Sequence, residues 1–322
     1  NADGTEVLWT VALAGNGARS LGLDGSGGVW VAGERYLTRL RAEDGRLERR
    51  VETGSVNAIA VDAADGVYTA GNGRLTKFVN FEPAYSLEIP GSIRAVAVDA
   101  NGAAYIAYGN VISRVSADGS AIDYTFDLGW AANAIAVDGA GGAYVTGAGA
   151  HVARVTPAGD AMSFSVVLSG VLEQEGRGIA LDGMGGVYVA GWTTSSDFAQ
   201  ARGWHGGSDG FLAKLTTGGE VVSVEFAGTA AQDSLEALAV TLSGDVLVAG
   251  LTEGSGLGSG RLAQLQGGTD AVVMKYGGSA QRATTGTTTT LATAPVNVAS
   301  LGQAVTLTAT VSPAGATGRV TF

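Results

Sequence analysis

The chain has 322 residues, of which 46% are hydrophobic and 15% charged, with 52 glycines and a net charge of −11. That much apolar material excludes global disorder, the glycines lack the G-x-y period of collagen, and no apolar run reaches the roughly 18 residues that cross a bilayer. The negative charge argues against nucleic acid as a partner, and the absence of Cys removes disulfides, thiolate metal sites and a Cys nucleophile.

One sixteen-residue phrase is written six times: Ala18–Gly33, Val56–Gly71, Ile93–Tyr108, Ala132–Gly147, Gly176–Gly191 and Leu235–Gly250. In each, an apolar strand runs into a landmark residue that is Asp in five of the six, a Gly-containing turn follows, and a second apolar strand closes the phrase. The landmark residues are Asp24, Asp62, Asp99, Asp138 and Asp182, with Thr241 in the sixth place, at spacings of 38, 37, 39, 44 and 59 residues. A period near 40 suits four short strands and their turns, which is one propeller blade.

The elements follow in chain order within each repeat. The first strand, such as Ala58–Val61, alternates small and large apolar residues and reads as buried on both faces near a narrow axis. The second, such as Val67–Ala70, is aromatic and β-branched. A third strand follows in each repeat (Tyr36–Leu40, Arg74–Phe78, Val111–Val115, His151–Val155, Gly210–Leu215 and Asp270–Lys275), most with a Lys or Arg near its end. A more polar fourth strand is present in five repeats only. Glu6–Ala14 precedes the first phrase as Glu220–Ala227 precedes the sixth, so it is expected to complete the last blade and close the ring. At Thr284 the text becomes Thr-rich, and Gln303–Val311 is a clean period-two strand. The expectation is all-β: a six-bladed β-propeller of four-stranded blades over residues 1–283, its N-terminal strand closing the last blade. A Thr-rich junction and an incomplete, partial Ig-like β-sandwich then occupy residues 284–322.

The phrase A-I-A-V-D-x-x-G-G-x-Y-V-x-G resembles the bacterial SBBP propeller repeat, most closely at Gly176–Ala227, which reads G-I-A-L-D-G-M-G-G-V-Y-V-A-G, then W-T-T-S-S-D-F, then D-G-F-L-A-K-L. The resemblance covers about Glu6–Tyr276, although six repeats are counted where that family's name implies seven blades. Thr287–Phe322 resembles the start of a bacterial Ig-like repeat. Together the resemblances imply a secreted or cell-surface bacterial protein with an adhesive or structural role, and they transfer no catalytic residues. The start at Asn1 fits a removed signal peptide or a trimmed chain.

Three sets of residues are candidates for chemistry. The landmark carboxylates read as caps of their own hairpins, since one turn supplies too few oxygens for Ca²⁺. The residue five places earlier, at the entry of each innermost strand, is Arg19, Asn57, Arg94, Asn133, Arg177 and Glu236. These six share one mouth of the axial channel, either as a cationic ring for a carboxylate, phosphate or sulfated sugar or as groups that solvate the mouth and bond neighbouring carbonyls. The third set lies in the long connections of the fifth and sixth repeats, where Trp192, Phe198 and Trp204 would stack on sugars, with Asp197, Arg202 and His205 as polar contacts; the bland alternative is a self-packed loop anchored by Phe198. His151 and His205, 54 residues apart, form no local motif, and no P-loop, H-E-x-x-H or EF-hand sequence occurs. No metal and no cofactor is expected. The leading expectation is a non-enzymatic extracellular display or assembly module, a subunit of a filament or surface layer whose partners are other subunits of a homopolymer or surface glycans. A glycan- or polyanion-binding module is the alternative, and a propeller-type lyase or lactonase the third reading.

Overall fold

The repeated phrase folds as an antiparallel hairpin at every occurrence. In this computed structural model the described residues are 8–13, 15–201, 203–241, 243–255, 257 and 268–277, with the backbone of 288–294 and 306–312. The first hairpin is β1 (Ala18–Leu23) with β2 (Val29–Gly33), continued by β3 (Tyr36–Leu40) and β4 (Leu47–Glu52) into a four-stranded sheet. The next strands are β5 (Val56–Val61), β6 (Val67–Val79), β7 (Glu82–Val98), β8 (Ala104–Tyr108), β9 (Val111–Val115) and β10 (Ile122–Asp127). They form one six-stranded ladder in which β6 passes through Gly73 (φ +69°) and β7 through Gly91 (φ +148°). Each of these two segments therefore supplies two strands, and the ladder makes two four-stranded blades.

Two further four-stranded sheets follow. One is β11 (Ala132–Val137), β12 (Ala143–Gly147), β13 (His151–Val155) and β14 (Met162–Val167); the other is β15 (Gln174–Leu181), β16 (Gly186–Thr193), β17 (Asp209–Thr216) and β18 (Val221–Ala227). The last sheet has three strands, β19 (Asp233–Val240), β20 (Val246–Thr252) and β21 (Asp270–Tyr276). The core lies between consecutive sheets. Tyr144 and Val152, for example, pack against Ile179, Val189 and Phe211 of the following blade. Burial is greatest in the second and third strands. The innermost strands β5 and β11 are a mix of buried and half-buried residues, because one side of each faces the channel rather than protein, whereas the second strands β8 and β12 are buried throughout.

The expected architecture needs two corrections. The described residues form five four-stranded blades and a three-stranded sixth sheet, rather than six complete blades. Residues 8–13 of the expected closing strand Glu6–Ala14 carry no strand, and the rest of that stretch lies outside the described residues. Period-two apolarity shows that a segment buries one face, but not that a ladder partner is available. Here the segment is held by a side chain instead. Trp9 donates its indole N–H to the Ala42 carbonyl at 2.9 Å and covers the turn at Gly45. The second correction concerns the C-terminal unit, Gly278–Phe322, where β22 (Thr288–Ala294) and β23 (Thr306–Ser312) make a two-stranded antiparallel ladder. Among the described residues there is no Ig-like sandwich, for two strands cannot enclose a core between sheets.

Five of the hairpins are clasped by their landmark carboxylate. Asp62 Oδ1 accepts the N–H groups of Ala64 (3.0 Å) and Gly66 (2.7 Å), while Oδ2 meets Lys77 Nζ at 3.0 Å and the Tyr68 hydroxyl at 3.1 Å. Asp24, Asp99 and Asp138 hold their own turns in the same way and take Arg39, Arg114 and Arg154 from the third strand at 2.7, 3.5 and 2.8 Å. Each cation lies over the ring of the second strand, Trp30, Tyr68, Tyr105 or Tyr144, and Lys214 lies over Tyr188 in the fifth blade. In the sixth sheet, where Thr241 replaces the Asp, Asp245 supplies the charge and meets Lys275 at 3.0 Å. Burial would raise the Asp62 and Asp138 carboxyls, but the cation and the turn N–H groups outweigh it and hold both below the ordinary carboxylate range. Asp24 is displaced the same way, against burial, by Arg39, Ser26, Gly28 and Trp30.

Two outcomes follow for stability. Asp62→Ala leaves Lys77 and the turn without their acceptor and is expected to cost about 3–5 kcal/mol. Removing the solvent-exposed partner of Arg74 by Glu88→Ala is expected to cost about 1 kcal/mol or less; urea unfolding of both variants measures the contrast. The depressed carboxyls also set a pH dependence. Their ionised forms contribute stability that is fully present above the ordinary value of 3.8 and is lost as pH falls through the lower folded values. Melting temperature is therefore expected to fall steeply below that pH, with a shallower fall in Asp62→Asn.

Candidate functional site

The six channel-mouth candidates share a backbone feature that the sequence does not display. In every innermost strand the register slips at one residue: between Ala18 and Ser20, Val56 and Ala58, Ile93 and Ala95, Ala132 and Ala134, Gly176 and Gly178, and Leu235 and Ala237. The skipped residues are Arg19, Asn57, Arg94, Asn133, Arg177 and Glu236. Each is a β-bulge residue, released from the pleat at the strand entry. The bulge also explains the glycine that ends the phrase. A Cβ on Gly33, Gly71, Gly147, Gly191 or Gly250 would lie 1.9–2.1 Å from the carbonyl oxygen of the residue two before the bulge (Gly17, Ser55, Ala131, Glu175 or Ser234). In the third blade Tyr108 stands in that place.

The structure brings these side chains into a network from blade to blade. Arg19 Nη1 donates to Asn57 Oδ1 at 3.0 Å, and Asn57 Nδ2 donates onward to the Ile93 carbonyl at 2.9 Å. Arg94 Nη1 donates to Asn133 Oδ1 at 2.7 Å, and Asn133 Nδ2 donates to Glu175 Oε1 at 2.7 Å and the Gly176 carbonyl at 3.0 Å. Arg177 is flanked by Glu175 at 2.9 Å and Glu236 at 3.8 Å, and Arg19 also faces Glu34 at 3.7 Å. Each arginine thus has an internal acceptor, which matches the bonding role weighed beside the anion-binding one.

The loop candidates are spread over two places. Phe198 is fully buried against Phe211 (4.6 Å between ring centroids) and anchors the long connection of the fifth blade. Trp204 meets the Phe226 ring edge-on at 5.5 Å, and Asp197 accepts the Val171 N–H at 3.1 Å, beside an outer groove lined by Val171 and Val222. His205 donates its backbone N–H to the buried Asp209 at 2.8 Å. Burial raises the Asp209 carboxyl above its ordinary range, and the charge of Asp233 adds to that rise. Arg202 lies outside the described residues. His151 stacks on Trp130 at 5.1 Å, and burial lowers its imidazole below the usual range.

Trp192 stands apart from the other loop aromatics, because it walls a cavity of about 380 Å³ between the fifth and sixth sheets. Glu173, Gln232, Glu236, Glu253 and Thr269 complete much of that wall. Its charged lining among the described residues is wholly acidic. Sequence reasoning missed Gln232 and Glu253. The available signal was the position of 228–234 and 251–269 on the same face, which predicts that these connections converge. Gln232 is pinned by Ser208 at 3.1 Å, and its carbonyl accepts the Glu253 N–H at 2.9 Å.

With this geometry in hand, comparison with known proteins adds the following. Residues 175–199 match the model of the beta-propeller repeat family SBBP. No curated protein matches the chain in sequence. Among solved structures, the WD40 beta-propeller domain of Doa1 superposes with a TM-score of 0.58 at 13% identity, over 76% of this chain and 77% of that one. Hydrazine synthase of Kuenenia stuttgartiensis gives 0.61 at 11%, over 75% and 78%, and a streptogramin B lyase gives 0.57 at 15%, over 74% and 78%. At these identities the likeness is one of fold: the chain carries a β-propeller with an SBBP-type repeat.

The bulge yields a direct test. Gly147→Ala places a methyl 2.0 Å from the Ala131 carbonyl and forces the strand entry at Asn133 to shift. It is expected to destabilise the protein by about 1–3 kcal/mol, as overpacking does, whereas Gly139→Ala, which meets nothing within 4 Å and needs no positive φ, should cost less; thermal melts compare the two.

Proposed function

We propose that this chain is a non-enzymatic binding and display module whose propeller holds the loops of its fifth and sixth sheets as a glycan site, working at the cell surface or outside the cell. The observation that carries the reading is the Trp192-walled cavity. Its volume falls within the roughly 300–1,000 Å³ of small-molecule sites, and it combines one aromatic face with several hydrogen-bond acceptors. An indole stacks on the apolar face of a sugar ring, while Glu173, Glu236, Glu253 and Gln232 accept its hydroxyls. Four carboxylates at one wall, counting Asp233, disfavour sulfated or uronic sugars and favour neutral or amine-bearing ones. The arginines of the channel mouth are the weaker candidate for a polyanion, since each already meets at least one acceptor within the chain. Assembly into a filament or surface layer is compatible with this role, with the glycan site then displayed repeatedly.

The test is calorimetric titration with chito-oligosaccharides, their deacetylated forms and heparin. Binding of a neutral or amine-bearing oligosaccharide is expected, weakened about tenfold or more by Trp192→Ala as a stacking contact is lost and unchanged in the Arg19→Ala, Arg94→Ala, Arg177→Ala triple variant. Heparin binding that disappears in the triple variant would refute the reading, as would oligosaccharide binding indifferent to Trp192.

A further inference from the structure

The ring of sheets has one seam unlike the others. From β1 to β19 each innermost strand packs directly on the next, but β19 and β1 do not pack on each other in this way. The repeat itself measures the consequence. Ile59, Val96, Ile135 and Ile179 occupy one equivalent position, three residues before the landmark Asp, and are 7–8% exposed; Leu21 occupies the same position in the first sheet and is 68% exposed. On the other side of the seam the contrast recurs. Leu37, Leu75, Ile112, Val152 and Leu212 hold a third-strand position at 0–8% exposure, and their equivalent Val273 is 74% exposed. Two faces that elsewhere bury each other are left uncovered here.

Between them lies a cavity of about 510 Å³. Its described wall is Leu21 and Val31 on one side and Leu238, Leu247, Ala249 and Val273 on the other, with Ala237 and Ala239 leaving room at the inner strand. Arg19 is the only charged group in that described wall, and it sits at the channel-mouth end. Its recorded hydrogen bonds, to Asn57 and Ser55, use Nη1, while Nη2 faces Glu34 at a loose 3.7 Å. A guanidinium presents five N–H donors, so donors remain for a ligand oxygen. A largely apolar cleft with one cation at its channel-mouth end is complementary to an apolar chain ending in a carboxylate.

We propose that this seam is a binding site for a fatty-acid-like monocarboxylate, its hydrocarbon body between the first and sixth sheets and its carboxylate on Arg19. The site is separate from the Trp192-walled cavity, so either can fail without the other. Burying the uncovered Leu21 and Val273 would supply the driving force, at about 25 cal/mol per Å² of apolar surface removed from water.

The experiment follows the fluorescence of cis-parinarate titrated into the full chain, with displacement by dodecanoate and by dodecanol. Saturable one-to-one binding is expected, with dodecanoate displacing more strongly than dodecanol. Arg19→Gln should weaken dodecanoate about tenfold, the scale of one charge-assisted hydrogen bond, and leave dodecanol unchanged. Ala249→Leu, which narrows the cleft from a half-exposed position, should weaken both; a circular-dichroism melt confirms that each variant is folded. Absence of saturable binding, or binding that neither substitution alters, would overturn the proposal. So would a concentration-dependent dimer in sedimentation that Val273→Glu dissolves, because the seam would then be covered by a second copy.

Discussion

A carboxylate locked into a hairpin turn, a cation reaching it from the third strand, and an aromatic ring beneath that cation make the joint on which the rest of this propeller depends. It ties the first three strands of a blade at their outer turn, where a short hairpin alone would fray. It also links blades. The Tyr68 hydroxyl donates to the Gly102 carbonyl of the next blade at 2.7 Å, and the Tyr105 hydroxyl to Gly141 at 3.2 Å. Several of these groups are buried, so their charge would be costly without partners; with turn N–H groups and a cation supplied, the carboxylate becomes a fixed part of the frame. The sixth sheet shows what the joint requires. Thr241 caps the turn by accepting the Asp245 N–H at 3.0 Å, and the charge moves four residues along to Asp245, which still meets the third-strand lysine. The requirement is for a charge pair across the hairpin, and its place within the turn can vary.

At the opposite end of the same strands the constraint is geometric. A bulge at every strand entry turns one side chain toward the channel mouth and brings a carbonyl so close to the phrase's last residue that five of the phrases carry glycine against a backbone oxygen at about 2 Å. The side chains released there run Arg, Asn, Arg, Asn, Arg, Glu around the mouth. Arginine only donates, glutamate only accepts, and asparagine does both. That order lets Arg19, Asn57, Arg94 and Asn133 find partners in an adjoining blade, while Glu175 bridges Asn133 and its own strand's Arg177. The row of cations in the sequence is, in the fold, a belt bonded partly to itself, with donors of Arg19 left over.

Much of the fold was legible because it rests on local signals. The third strands Tyr36–Leu40, Val111–Val115 and His151–Val155 appear with the bounds that apolar alternation and a terminal cation suggest. What failed depends on partners. Residues 8–13 have the composition of a strand, yet Trp9 fixes them to the β3–β4 turn through its indole, and composition cannot report a missing ladder. The bulges were invisible because a register slip exists only between two strands. The candidate site divides along the same line. Phe198 was readable as an anchor from its place in a long loop, while Gln232 and Glu253 reach the Trp192 cavity only because two connections converge on one face.

The repeat also turns unequal exposure into information. In a molecule built from one phrase, every position has internal controls, so an uncovered Leu21 is measured against Ile59, Val96, Ile135 and Ile179 rather than against an average protein. The middle blades are interchangeable in their packing. Differences collect in the fifth and sixth sheets, where connections lengthen and an acidic cavity opens, and at the seam where the first and sixth sheets face each other. The frame gives the first four blades the same joint, and for that reason the joint cannot distinguish one ligand from another. Specificity has to reside where the symmetry lapses, and the two cavities that combine a chemically distinct wall with an open approach, at Trp192 and at Arg19, both lie against the sixth sheet.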